Sequence, residues 1–185
     1  GLFNDGDLAN STDVRASLFW TEGHSYEMTD YKKWTDGYPA IKFRNTNFYS
    51  ASNPTSFSST DFPLFRLADA YLMYAECAIR GAAGASMSTA LGYVNAVRTR
   101  SNASTVAQAD LTLDFILDER ARELNFEGHR RSDLIRFGKF TGGDYLWPWK
   151  GNTLNGTSIP DTYNLFPIPL TALEANENLT QNPGY

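Results

Sequence analysis

Between residues 64 and 137 apolar residues return at every third or fourth position, the one sustained period in the chain. In "LFRLADAYLMYAECAIRGAAG", Leu64, Leu67, Ala68, Tyr71, Leu72, Ala75, Ala78 and Ile79 form one stripe that stops at Gly81 and Gly84. A 3.6-residue period closed by glycine predicts an amphipathic α-helix. "MSTALGYVNAVRTRSN" predicts a second, with Ala90, Leu91, Val94 and Val97 inward and Ser88 as N-cap. The short glycine-rich link between them predicts an antiparallel hairpin, and Ala75, Ala78 and Ala90 are small enough for close helix approach. A third helix is predicted over "TLDFILDERARELNF", with Leu113, Ile116, Leu117, Ala121 and Leu124 on one face and Asp110 or Thr112 as cap. Gly128 interrupts it, and "HRRSDLIRFGKF" resumes as a shorter helix that turns Leu134, Ile135 and Phe137 inward and stops at Gly138. Two hairpins in succession predict a mainly α fold of tetratricopeptide-like helical hairpins.

The rest is loop-rich. Residues 1–63 show no sustained period and read as irregular chain with short extended pieces such as "YPAIKFRN" (38–45); "SASNPTSFSSTDFP" (50–63) is the clearest loop. So long a stretch is expected to be functional or to lie packed on a scaffold elsewhere. From 141 onward Pro148, Pro160, Pro167, Pro169 and Pro183 indicate loop, with one short helical turn around Leu170 to Ala175. The expected organisation is a single domain in which residues 1–63 pack on a helical region, 64–185, that ends in a loop-rich tail.

At 185 residues the chain is long enough to bury roughly 70% of the surface its unfolded form would expose. A formal charge of -5 argues against a nucleic-acid or anionic-membrane binder, whose field is normally basic. No run approaches the roughly 18 apolar residues of a membrane span. The one cysteine, Cys77, sits in "YLMYAECAI", where a small buried residue is the expectation.

Charges in and after the third helix fall at helical spacings that pair opposite signs: Asp118 with Arg122, Glu119 with Arg122, Glu127 with Arg130 and Arg131, Asp133 with Arg136. Solvated or inter-helix ion pairs account for them. Glycosidase chemistry would use Glu119 and Glu123, one turn apart, as acid and nucleophile, but acids on successive turns of a charged helix are commonplace. His129 is flanked by cations with nothing to orient it as a base. His24, with Glu27 and Asp30 beyond, lacks the second histidine of a metal site, so no metal or cofactor is expected.

Loop aromatics are the better candidates for binding. Sugars present C–H faces that stack on indole or phenol rings while Asn, Asp and Lys supply hydrogen bonds, and "DYKKWTDGY" (30–38) and "DYLWPWKGN" (144–152) offer that mixture. Two roles fit each ring. Trp34 and Tyr38 serve as a platform or as packing, and Trp147 and Trp149, fixed by Pro148 between them, bind a glycan or plug the scaffold.

The order of "RLADAYLMYAEC" (66–77), "ALGYVNAVRTRS" (90–101), "LDFILDERARELNFEGHRRSDLIRFGKF" (113–140), "YLWPWKG" (145–151), "NLFPIP" (164–169) and "NLTQNPGY" (178–185) resembles the SusD/RagB family of cell-surface nutrient-binding lipoproteins of Bacteroidota. "DVRASLFW" (13–20) and "KFRN" (42–45) extend the likeness more loosely. The resemblance implies a non-enzymatic, tetratricopeptide-like protein attached by a lipid anchor, absent from this chain, to the outer face of the outer membrane. There it captures a glycan for a SusC-like TonB-dependent transporter. "YLWPWKGNTLNGTS" and "TYNLFPIP" look similar to the starch-binding branch, which implies malto-oligosaccharide. Family members are much longer, so the chain is expected to be the C-terminal portion of a parent and, as this fragment, soluble. A scaffold whose only ligand is the transporter is the alternative.

Overall fold

In the computed structural model, which describes residues 2–3, 7–44 and 60–185, every regular element is helical and β-pairing among the described residues is limited to isolated bridges. α1 is Leu67–Ile79, α2 Met87–Arg100, α3 Leu113–Glu123, α4 Arg130–Arg136 and α5 Leu170–Ala175. Most of the loop at 50–63 lies outside the described residues, as does the last residue of 38–45.

α1 and α2 form the expected hairpin, and α3 packs on α1. Leu72, Ala75 and Ala78 of α1, Ala90, Val94 and Val97 of α2, and Ile116 and Leu117 of α3 are buried. The alanines leave no side-chain bulk between the helices, so branched residues from α2 and α3 fill the core. The Tyr74 hydroxyl accepts a hydrogen bond from the Ser86 amide at 3.0 Å, which holds α1 to the start of α2. The first stripe is narrower than predicted. Leu64 and Leu67 stand exposed before or at the first turn of α1, and Cys77 is exposed because it lies on the side of the helix opposite Leu72 and Ala75.

Helix boundaries follow local hydrogen bonds. Ser86, not Ser88, caps α2 by accepting from the Thr89 amide, and Ser88 instead shares a hydroxyl contact of 2.8 Å with Ser86. Thr112 caps α3 through the Phe115 amide at 3.1 Å. α3 ends three residues sooner than its apolar pattern predicts: Phe126 and Gly128 take left-handed φ of 60° and 80°, and the Glu123 carbonyl accepts from Lys42 Nζ and Arg66 Nη2, each at 3.0 Å. Cations on the last carbonyls satisfy the helix end and oppose its partial negative charge.

The chain divides into two compact units, residues up to 130 and Arg131–Tyr185. In the first, the N-terminal segment contacts the helices through backbone: the Val14 amide donates to the Ser101 carbonyl at 2.9 Å, and Asn102 Nδ2 to the Thr12 carbonyl at 3.2 Å. In the second, the Arg131 guanidinium lies 4.0 Å from the Phe166 ring centre and donates to the Tyr163 carbonyl at 2.7 Å. The short helical turn foreseen near 170–175 is α5.

Ile116→Ala should lower the unfolding free energy by roughly 2–5 kcal/mol, because it opens a cavity where α3 meets the hairpin. Urea titration checks this.

Candidate functional site

The acids of α3 and the turn after it occupy the interior. Glu119 is 0% exposed, Glu123 3% and Glu127 5%, so the solvated ion pairs allowed for from sequence are not what forms here. Glu119 is held by Arg98 at 2.6 Å, by Arg122 at 3.0 Å, and by Arg15 at 2.9 Å from its other oxygen, there as a charge contact rather than a hydrogen bond. Glu123 receives Arg100 on both oxygens at 2.7 Å, Arg66 at 2.9 Å and Arg15 at 3.0 Å. Glu127 bonds Lys42 and takes Arg66 Nε at 2.7 Å, so its described partners come from far upstream. Arg130 and Arg131, its expected partners, donate instead to the carbonyls of Leu117 and Tyr163. The Asp133 to Arg136 pair forms as expected at 2.8 Å.

These contacts decide what the carboxylates can do. Glu119 and Glu123 are sealed from solvent and surrounded by guanidinium groups, so no glycosidic oxygen reaches them. A general acid must sit within hydrogen-bond reach of the leaving group. Burial pushes the Glu127 carboxyl up, but hydrogen bonds from Arg66 and Lys42 and their charges outweigh it and leave its pKa below the ordinary value. Asp13 behaves alike: burial raises it, and the hydrogen bond and charge of Arg15 bring it below its usual range.

The loop aromatics lie elsewhere. Trp34 is 78% exposed, and its ring and that of His24 stand in a T-shaped arrangement 5.5 Å apart between centres. Tyr38 is half-buried, 5.8 Å from Tyr26, and Trp20, Tyr26 and Tyr31 add exposed rings to the same loop region. Tyr31 belongs to the stretch 30–38 put forward from sequence and Trp20 is another loop tryptophan, whereas nothing in the sequence reading pointed to Tyr26. Asp36 organises the loop by accepting from the Thr29 hydroxyl at 2.8 Å and from the amides of Thr29 and Asp30 at 3.1 Å, with Lys33 at 3.1 Å. The Thr29 and Lys33 hydrogen bonds hold its carboxyl well below the ordinary range.

Trp147 and Trp149 belong to the second unit, and both are half-buried. Lys150, expected among the sugar's hydrogen-bond donors, is instead 2% exposed: its ammonium donates to the carbonyls of Tyr145 at 2.7 Å and Gly142 at 3.0 Å and lies 4.8 Å from the Trp147 ring centre. Gly156 closes this loop at φ 74°, where a Cβ would come within 2.4 Å of the Trp147 carbonyl. Among the described residues no three His, Cys, Asp or Glu side chains converge as metal ligands, and no helix is long and apolar enough to cross a membrane.

A model of the SusD family matches residues 13–185. The chain belongs to the SusD family. It is 44% identical to the starch-binding protein SusD of Bacteroides thetaiotaomicron over 155 residues, which are 82% of this chain and 27% of that protein. A SusD-like protein of Formosa agariphila is 38% identical over 66% of this chain and 24% of its own length, so this SusD-family chain spans about a quarter of each curated relative. A SusD-superfamily crystal structure from Bacteroides vulgatus superposes with a TM-score of 0.68 at 31% identity, over 97% of this chain and 37% of that one. A surface glycan-binding protein of Bacteroides thetaiotaomicron in complex with laminarihexaose superposes with a TM-score of 0.63 at 26% identity, over 92% and 38%. The mainly helical, tetratricopeptide-like SusD architecture is therefore the fold of this chain.

Two outcomes follow from the buried charges. Glu123→Ala should cost roughly 3–5 kcal/mol, because it leaves Arg15, Arg66 and Arg100 without their shared acceptor; urea unfolding measures it. Because the folded pKa of Glu127 lies below its ordinary 4.5, the unfolded state binds more protons as pH falls through that range. The melting temperature should hold from pH 7 down to about 5 and drop below that. Glu127→Gln should flatten the acid limb.

Proposed function

We propose that this chain is part of a cell-surface protein that captures an oligo- or polysaccharide, starch-like in the first instance, and delivers it to a SusC-like TonB-dependent transporter in the outer membrane. One observation carries the reading: the 44% identity to a protein named for starch binding, over most of this chain. The glycan-bound neighbour structure supports the ligand class.

The part is one of binding without turnover. The relatives are named as binding proteins, and the acids a hydrolase would use here are enclosed by arginines. Trp34 and Tyr38 form the platform, since the open indole offers a face on which a sugar's C–H groups can stack while Asp36 keeps the loop in place. Trp147 and Trp149 supply a second, smaller contribution from their own loop.

Calorimetry of the full-length gene product against malto-oligosaccharides and a panel of other glycans tests this. Binding to at least one glycan is expected, and Trp34→Ala should weaken it about tenfold, or about 1.4 kcal/mol. Failure of every glycan, with the transporter still co-purifying, would leave a scaffold that binds the transporter alone. Binding unchanged in Trp34→Ala but lost in Trp147→Ala would move the platform to the second loop.

A further inference from the structure

The backbone of the exposed aromatic loop brings together two rings that are well separated in sequence. The Trp20 amide donates to the Pro39 carbonyl at 2.9 Å and the Ser25 amide to the Thr35 carbonyl at 2.8 Å, so the excursion 20–39 is pinched twice. A turn closed by the His24 amide on the Thr21 carbonyl at 3.1 Å sets His24 just before the inner pinch on one side. Trp34 stands just before it on the other. With 73° between their planes, neither ring covers the other face to face, and the indole stays open.

His24 is half-buried, and among the described residues its Nδ1 is enclosed without a hydrogen-bond partner, whereas Nε2 is not enclosed. A buried nitrogen left unpaired costs free energy that nothing in the loop offsets. Leucine or phenylalanine would support the indole from the same place and bury no nitrogen, so propping Trp34 does not account for a histidine. With no acceptor in reach of Nδ1, the ring proton belongs on Nε2, where a partner from solvent can meet it.

We propose that His24 and Trp34 form one two-part subsite for a single neutral sugar ring: the indole stacks on its C–H face and His24 Nε2–H donates to a hydroxyl at its edge. The inference rests on Trp34 serving as the platform. Stacking tolerates any sugar with a flat C–H face. His24 is therefore the specificity-determining member, since a donor fixed in place discriminates by the presence and position of the hydroxyl it meets. The loop's charges suit a neutral sugar: between Trp20 and Tyr38, Glu22, Glu27, Asp30 and Asp36 outnumber Lys32 and Lys33, and Lys33 is engaged by Asp36 at 3.1 Å.

Calorimetry of the full-length gene product with maltoheptaose and with laminarihexaose tests this through two variants. His24→Phe keeps a flat ring and removes the donor; His24→Gln loses the ring and keeps an N–H. For whichever sugar binds, His24→Phe should weaken affinity about fivefold or more, and His24→Gln should stay within about twofold of wild type. The reverse order, or equal losses in both, would make His24 a prop and overturn the proposal. Affinity unchanged in His24→Phe but lost in Trp34→Ala would leave the platform standing and remove His24 from it. Binding of neither sugar would overturn the subsite together with the platform it rests on. Independently of any variant's stability, the Nε2 resonance of His24 in the wild-type protein, assigned by its absence in His24→Phe, should move on saturation with sugar. An unmoved resonance would count against the hydrogen bond.

Discussion

Three carboxylates, Glu119, Glu123 and Glu127, are the point at which the first unit is tied together. Arg15 and Lys42 come from the irregular N-terminal segment, Arg66 from the start of α1, Arg98 and Arg100 from the end of α2, and all converge on the end of α3. The helices could pack on one another with alanine and aliphatic contacts alone. The N-terminal segment lacks a periodic apolar stripe of its own, and the two cations it inserts among the acids hold it in place together with its hydrogen bonds to Ser101 and Asn102.

A buried ion network of this kind is poor evidence of net stability, because desolvation of each charge offsets much of the attraction. Its effect is on which arrangement forms. Arg15 bridges Glu119 and Glu123, and Arg66 bridges Glu123 and Glu127, so a segment displaced by one residue leaves several buried charges without partners. The same contacts remove the glutamates from chemistry. Asp36, by contrast, accepts hydrogen bonds from Thr29 within an exposed loop that also carries the open ring of Trp34.

Much of the helical part was legible because periodicity is local. The stripes through Leu72 and Ala75, Ala90 and Val94, and Ile116 and Leu117 are buried as expected, and α5 falls where a short turn was foreseen. The readings that changed depended on distant partners. Cys77 and Leu67 look like core residues in a one-helix projection, yet they lie on the uncovered side of α1. Lys150 looks like a free hydrogen-bond donor beside two tryptophans, but carbonyls of its own loop enclose it.

The sequence by itself determined the helices, their hairpin and the family, since each rests on short-range spacing and on the order of local motifs. Only the tertiary structure decided the partners of the charges. Glu127 was expected to pair with Arg130 and Arg131 a few residues away and bonds instead Lys42 and Arg66, separated from it by 85 and 61 residues. Nothing in the spacing of Lys42 or Arg66 marks them for that role. Loop closure brings them there, and burial then makes a lone charge so costly that each acid must find a cation.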